Sequence, residues 1–237
     1  MFLASTTLIF HILILRQYLR YDSLVIRIGC TGGIAAGKSL FCSYLHKNGA
    51  TVIDADALTH ELLKYSKDLQ FRLVKAFGDH ILTQDAVIDR KKLAAAAFLS
   101  PDRKLLLESI VHPYLRNKIL EDIKSLSAQQ VPLLIIEGAL LIETKAADFY
   151  DLQALIVVET PVDQAVERLR SIRKMTEDDI KNRISIQSSS ITRIRSGDFI
   201  VINSGDKNLL EQMAHNVFNS ITKTHFENAS LAKSTDK

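Results

Sequence analysis

A parallel sheet covered by helices on both faces, an α/β fold, is what this 237-residue sequence predicts. Three observations predict it: five short runs that are apolar throughout, longer segments with apolar residues at helical spacing, and a glycine-rich turn directly after the first run. A hydrophobic content of 47% suffices for a substantial core. The net charge of +3, from 30 basic and 27 acidic residues, is too balanced to point to a nucleic-acid partner. Cys30 and Cys42 are the only cysteines, and their positions suggest neither a disulfide framework nor a metal site. A reducing compartment fits, so a cytoplasmic location is expected.

The elements follow in order. Residues 1–23 hold an apolar stretch near 8–15 that is interrupted by His11 and followed by Arg16 and Arg20. It is shorter than the roughly 20 residues a membrane-spanning helix requires. It also lacks the basic leader and small-residue cleavage site of a secretory signal. An organelle-targeting helix, a weak surface anchor and a start site set too far upstream remain open; no firm membrane partner is expected, and removing residues 1–23 is expected to leave activity intact. The first strand is LVIRIGC at 24–30, followed by a glycine-rich turn and the helical run FCSYLHKNG. A second strand, ATVID at 50–54, precedes a long helical stretch from Asp56 to about Leu126. Strands PLLIIEG at 132–138 and QALIVVE at 153–159 come next. A second helical segment runs from about Pro161 to Arg195 and is interrupted by SSSITRIRSG at 188–197, the strand DFIVIN occupies 198–203, and residues 226–237 read as a polar tail.

The turn carries the chemistry. Its spacing, Gly32-x-x-x-x-Gly37-Lys38-Ser39, is that of a phosphate-binding loop between a strand and a helix. Glycines let successive backbone N–H groups converge on phosphate oxygens at the positive end of a helix dipole. Gly32, Gly33, Ala35, Ala36, Gly37, Lys38, Ser39 and Leu40 are therefore the residues expected to bind a nucleoside triphosphate. Lys38 would reach the β- and γ-phosphates, and the Ser39 hydroxyl would meet Mg2+. A guanine-specific switch is disfavoured, because the nearest approach to its reader motif, Asn117-Lys118-Ile119-Leu120, has no aspartate. The second strand ends in Ile53-Asp54-Ala55-Asp56, which places two carboxylates at the sheet edge where α/β proteins bind ligands. One of them could orient or deprotonate an attacking hydroxyl; alternatively, Asp56 caps the next helix.

Taken together, IGCTGGIAAGKS, VIDAD, IDRKKLAAAAF, LESIVHPYLR, LLIIEGALLIE, ERLRSIRKMTEDDIKNRISIQ and DFIVINSG, in this order over about residues 25–222, resemble the dephospho-CoA kinase family. The resemblance implies a P-loop kinase core with a parallel sheet flanked by helices (24–56, 130–160 and 197–225), a helical substrate-binding insertion (57–129) and a helical lid (161–196). It implies transfer of phosphate from ATP to the ribose 3′-hydroxyl of dephospho-CoA, with Asp56 as the proton acceptor and Asp54 supporting it. Lys38 and Arg168 join Asp56 as catalytic residues, while Arg90 and His112 are the expected contacts to the anionic substrate. For these two the structural alternative is that Asp89 caps a helix displaying Arg90 and that Pro113 starts a helix with His112 packed beside it. Arg183 and Gln187 match the family's Arg-Ile-x-x-Gln run, and Mg2+ is the implied cofactor.

The chain departs from the family pattern in three places. Glu137-Gly138-Ala139 replaces a turn that usually carries aspartate and proline, Leu40 follows Ser39 where a second hydroxyl is common, and Arg173 is shifted by one residue. Glu137 is the candidate to hold Mg2+ through water. Asn203 and Gly205 are the candidates near the adenine. A nucleoside or nucleoside-monophosphate kinase and a non-catalytic ATP-binding scaffold are the competing functions, and a monomer is the expected state.

Overall fold

The computed structural model describes residues 25–129, 131–172 and 174–235. The expectations for residues 1–23 and for Arg173 lie outside the described residues. Two compact units are present: one comprises the described residues up to Ile53 and from Leu126 onward, the other Asp54–Ser125.

The first unit is built on a five-stranded sheet in the order β2-β3-β1-β4-β5. The strands are β1 (Ile26–Gly32), β2 (Thr51–Asp54), β3 (Leu133–Glu137), β4 (Ala154–Glu159) and β5 (Phe199–Ile202). Strand β1 is parallel to both β3 and β4, and β4 is parallel to β5. All five expected strands are present, because continuous apolar runs suit strands covered on both faces. Ile28, Leu133–Ile136 and Ile156–Val158 are completely buried. Helix α1 (Lys38–Lys47) lays Phe41, Tyr44 and Leu45 on this sheet, where Leu210, Ala214 and Ile221 of the C-terminal helix join the same cluster. That helix runs from Lys207 to Thr235 and so continues through most of the stretch expected to be a polar tail.

The register sets up the chemistry. Cys30 lies opposite Glu137, and Gly32 lies opposite Val158. The end of β1 is therefore flanked by the ends of β3 and β4.

The second unit is helical: α2 (Ala55–Tyr65), α3 (Lys67–Phe77), a 3-10 turn (Asp79–Ile81), α4 (Arg90–Ala97) and most of α5 (Pro101–Ala128). Its own core contains Leu69, Leu73, Phe77, Ile81, Leu93, Ala97 and Val111. Side chains cap its helices, with Asp54 accepting from the N–H of Ala57, Ser66 from Leu69, and Asp89 from Lys91 and Lys92. His112-Pro113 was expected between two helical runs, but α5 is continuous and carries Pro113 inside it. A proline removes one ladder hydrogen bond and crowds the preceding turn. Here buried Val111 and Ile119 anchor the helix on either side of that defect.

Helix α6 (Ala146–Tyr150) precedes β4, and the arginine-rich segment after β4 comprises α7 (Val162–Ser171), α8 (Glu177–Ile186) and α9 (Ser190–Ser196). The helical segment expected at 161–195 is thus three helices, and the expected interruption at SSSITRIRSG itself forms α9. Thr176 caps α8 and Ser189 caps α9. The C-terminal helix of the chain is α10. No helix among the described residues is long and apolar enough to cross a membrane.

Candidate active site

The loop between β1 and α1 has the geometry of a phosphate cradle. Gly32 has φ 148°, and a Cβ placed there would lie 1.9 Å from the Val158 carbonyl oxygen, so no other residue fits beside β4. Gly37 has φ 92° and stands at the N-cap of α1. A Cβ there would lie 2.4 Å from Nδ2 of Asn203. The loop is held from below by backbone bonds from Gly33 N–H to Val158 O (3.2 Å) and from Ala36 N–H to Gly33 O (3.1 Å).

Lys38 and Ser39 open α1. The Lys38 ammonium folds back over the loop and donates to the carbonyls of Gly32 (3.2 Å) and Gly33 (3.3 Å). Ser39 donates its hydroxyl to Oε1 of Glu137 at 2.7 Å. Glu137 is only 6% exposed. The altered turn has therefore not displaced the acid from the loop: β1 and β3 are in a register that puts it beside the cradle. A hydroxyl and a carboxylate this close are both hard oxygen donors, the type Mg2+ takes. The thiol of Cys42 is raised well above its usual value by a hydrogen bond with Cys30, by burial, and by the nearby charge of Glu137. It stays protonated next to the cradle. Leu40, the next residue along, is partly exposed.

The arginine-rich segment braces the cradle. Arg168 on α7 donates to the Ala35 carbonyl at 3.0 Å and to Oε1 of Gln164 at 3.4 Å. Asn203, buried just beyond β5, donates its amide to the Ala36 carbonyl at 2.8 Å and accepts from Gly205 N–H at 3.0 Å. Its side chain thus supports the loop. Gln187, at the end of α8, contacts both this loop and Ala139. Arg193 on α9 is buried and forms a two-pronged pair with Glu159, Nε to Oε1 at 2.5 Å and Nη2 to Oε2 at 2.9 Å. It also donates to the carbonyl of Ser188. Arg170 pairs with Glu177 on the surface. These two cations therefore already hold carboxylate partners, which reduces the positive charge the segment can offer a ligand.

In the helical unit, Asp54 ends β2 and caps α2, and Asp56 lies in the first turn of that helix. The capping alternative considered for Asp56 is therefore overturned: the cap is Asp54, two residues earlier. His60 lies one turn beyond Asp56. Its proton affinity is lowered by burial and by Arg90, against the opposing pull of Asp56 and Asp54. Asp54, Asp56, Arg90 and His60 thus share one electrostatic neighbourhood. Arg90 is exposed at the start of α4, where Asp89 caps the helix, and His112 is exposed on α5.

Sequence reasoning missed four participants: Glu159 and Arg193, the supporting role of Asn203, and His60. An acid terminating an apolar strand, as Glu159 does, was the available signal, and its partner lies 34 residues away.

A family profile described as dephospho-CoA kinase matches residues 26–229. A dephospho-CoA kinase of Corynebacterium diphtheriae is 34% identical over 191 residues, 81% of this chain and 94% of that protein. A Thermus thermophilus crystal structure aligns over 83% of this chain and 98% of its own with a TM-score of 0.71 at 26% identity. Dephospho-CoA kinase from Campylobacter jejuni aligns over 85% of this chain and 100% of its own at a TM-score of 0.58, also at 26% identity. On these matches, and with the cradle in place at the end of β1, the chain belongs to the dephospho-CoA kinase family.

Proposed function

We infer that this kinase transfers the γ-phosphoryl group of ATP to the ribose 3′-hydroxyl of dephospho-CoA, giving coenzyme A and ADP. The observation that carries the reading is the cradle itself, with Lys38 folded over it and Ser39 bonded to Glu137, in a chain of this family.

In this reading Lys38 leaves the Gly32 and Gly33 carbonyls for the β- and γ-phosphates, where its charge offsets the negative charge spread over the transferring group. Arg168, already on the loop through Ala35, directs a second guanidinium donor to that charge. Ser39 and Glu137 are the residues that would hold Mg2+, the serine directly and the carboxylate through water. Held there, Mg2+ would supply positive charge to offset that of the phosphates. Asp56 accepts the proton of the 3′-hydroxyl as its oxygen bonds to the γ-phosphorus and the bond to the ADP oxygen breaks. Arg90 and His112 bind the substrate's phosphates, and Asp54 keeps Asp56 in place by fixing the first turn of α2.

The test incubates the full chain with ATP, Mg2+ and dephospho-CoA, with nucleosides and nucleoside monophosphates in parallel, and follows ADP and CoA by mass. CoA formation that falls at least a hundredfold in Asp56→Asn supports the reading, in line with the 10²–10⁴ typical of a positioned base. A phosphorylated nucleoside without CoA would replace it with the competing kinase. ATP binding with no product would leave a scaffold.

A further inference from the structure

Gln187 uses its whole side-chain amide on backbone. Its Oε1 accepts from the N–H of Ile34 at 2.9 Å, and its Nε2 donates to the carbonyls of Gly32 (3.2 Å) and Ala139 (2.9 Å). One residue at the end of α8 therefore ties the phosphate loop after β1 to the turn after β3. That turn is the one in which Glu137-Gly138-Ala139 departs from the family pattern.

The Gly32 carbonyl is shared. It receives Lys38 Nζ and Gln187 Nε2, one donor for each lone pair. The Gly33 carbonyl receives Lys38 at 3.3 Å. When Lys38 turns to a nucleotide, it abandons both oxygens. A partly buried carbonyl stripped of every donor is costly and would also present its negative end beside an incoming phosphate. Gln187 removes that penalty at Gly32, because its bond persists after the lysine has left. Its bond to the Ile34 N–H meanwhile fixes the Gly33–Ile34 peptide group, the next one along the loop.

We infer that Gln187 is a positioning residue that retains the Gly32 carbonyl when Lys38 is released to the phosphates of the nucleotide, and so sets how readily the cradle takes ATP. The inference rests on the reading of Lys38 given above. It makes Gln187 and Lys38 a coupled pair, which a purely structural role for the glutamine does not.

The experiment is a calorimetric titration of Mg·ATP into the full chain, which needs no dephospho-CoA. The variants are Gln187→Leu, Gln187→Glu (which keeps the acceptor and loses both donor hydrogens), Lys38→Ala, and the combination of Gln187→Glu with Lys38→Ala. Each Gln187 variant alone is expected to bind ATP about tenfold more weakly. In the Lys38→Ala background, adding Gln187→Glu is expected to change affinity less than about twofold, because no lysine remains to be released. Hydrogen exchange at the Ile34 amide without nucleotide supplies a second readout: protection is kept in Gln187→Glu and lost in Gln187→Leu. Additive losses in the double variant, unaltered ATP affinity in the single variants, or a wild-type chain that binds no ATP would each overturn the inference. If ATP binds with the expected coupling while dephospho-CoA is not phosphorylated, the inference stands and the substrate reading falls.

Discussion

Replacing Arg193 by methionine isolates the Glu159–Arg193 pair, which lies under the phosphate loop. Both side chains are nearly sealed from water, at 10% and 6% exposure. A Cβ at Gly33 would sit 3.1 Å from Nη2 of Arg193 and 3.3 Å from Oε2 of Glu159, so the pair forms the floor of the loop. Removing the guanidinium leaves Glu159 with the hydroxyl of Ser190, at 3.0 Å, as its remaining side-chain donor. Breaking one side of a buried ion pair costs about 3–5 kcal/mol, because a charge is left without compensation. At about 2–4 °C per kcal/mol for a domain of this size class, the midpoint should fall by about 6–20 °C. The double replacement of Arg193 and Glu159 by methionine removes the orphaned charge and should recover most of the loss. Differential scanning calorimetry at neutral pH reads both variants, and ATP titration reports whether the loop has moved. A drop of less than about 2 °C in the single variant, or a double variant no better than the single, would refute the argument that an uncompensated charge is the cause.

Three further outcomes are expected. Gly37→Ala forces a side chain into the left-handed region and against Asn203, a strain of about 1–3 kcal/mol that should weaken ATP binding by about tenfold or more in a titration. Arg168→Ala should lower turnover about a hundredfold while shifting ATP affinity far less; single-turnover kinetics beside a nucleotide titration would show this, and unchanged turnover would remove Arg168 from the mechanism. His60 binds its proton less readily folded than unfolded, so the unfolded chain carries more protons just below the ordinary histidine value and stability from this group should rise with pH there. Urea midpoints measured from pH 5 to 7 should show that slope in the native chain and a shallower one in His60→Gln.

The strands and the loop were legible because their signals are local. A buried parallel strand must be apolar at successive positions, and a phosphate loop must place its glycines, lysine and hydroxyl at set intervals, so both can be read within a dozen residues. Helical spacing was equally plain, yet it overstated two breaks and missed a third. His112-Pro113 looked like a boundary, but tertiary packing of Val111 and Ile119 carries α5 through the proline. The segment from Pro161 to Arg195 looked helical up to an interruption at SSSITRIRSG, but a cap at Thr176 divides it earlier and a cap at Ser189 starts a helix within that interruption.

The functional assembly divides along the same line. Gly32, Gly37, Lys38 and Ser39 are neighbours in the chain, so their joint purpose could be inferred from order alone. Glu137 meets Ser39 from 98 residues away, Gln187 meets Ile34 from 153, and Asn203 meets Ala36 from 167. Such partners are chosen by strand order and register, which place the ends of β3, β4 and β5 around the end of β1. A side chain's charge and length are written in its identity, but whether it faces water, a carboxylate or a loop carbonyl depends on what the folded chain brings beside it. For that reason Arg193, on paper one of several arginines between Arg168 and Arg195, became a buried strut, while Arg168 settled on the loop.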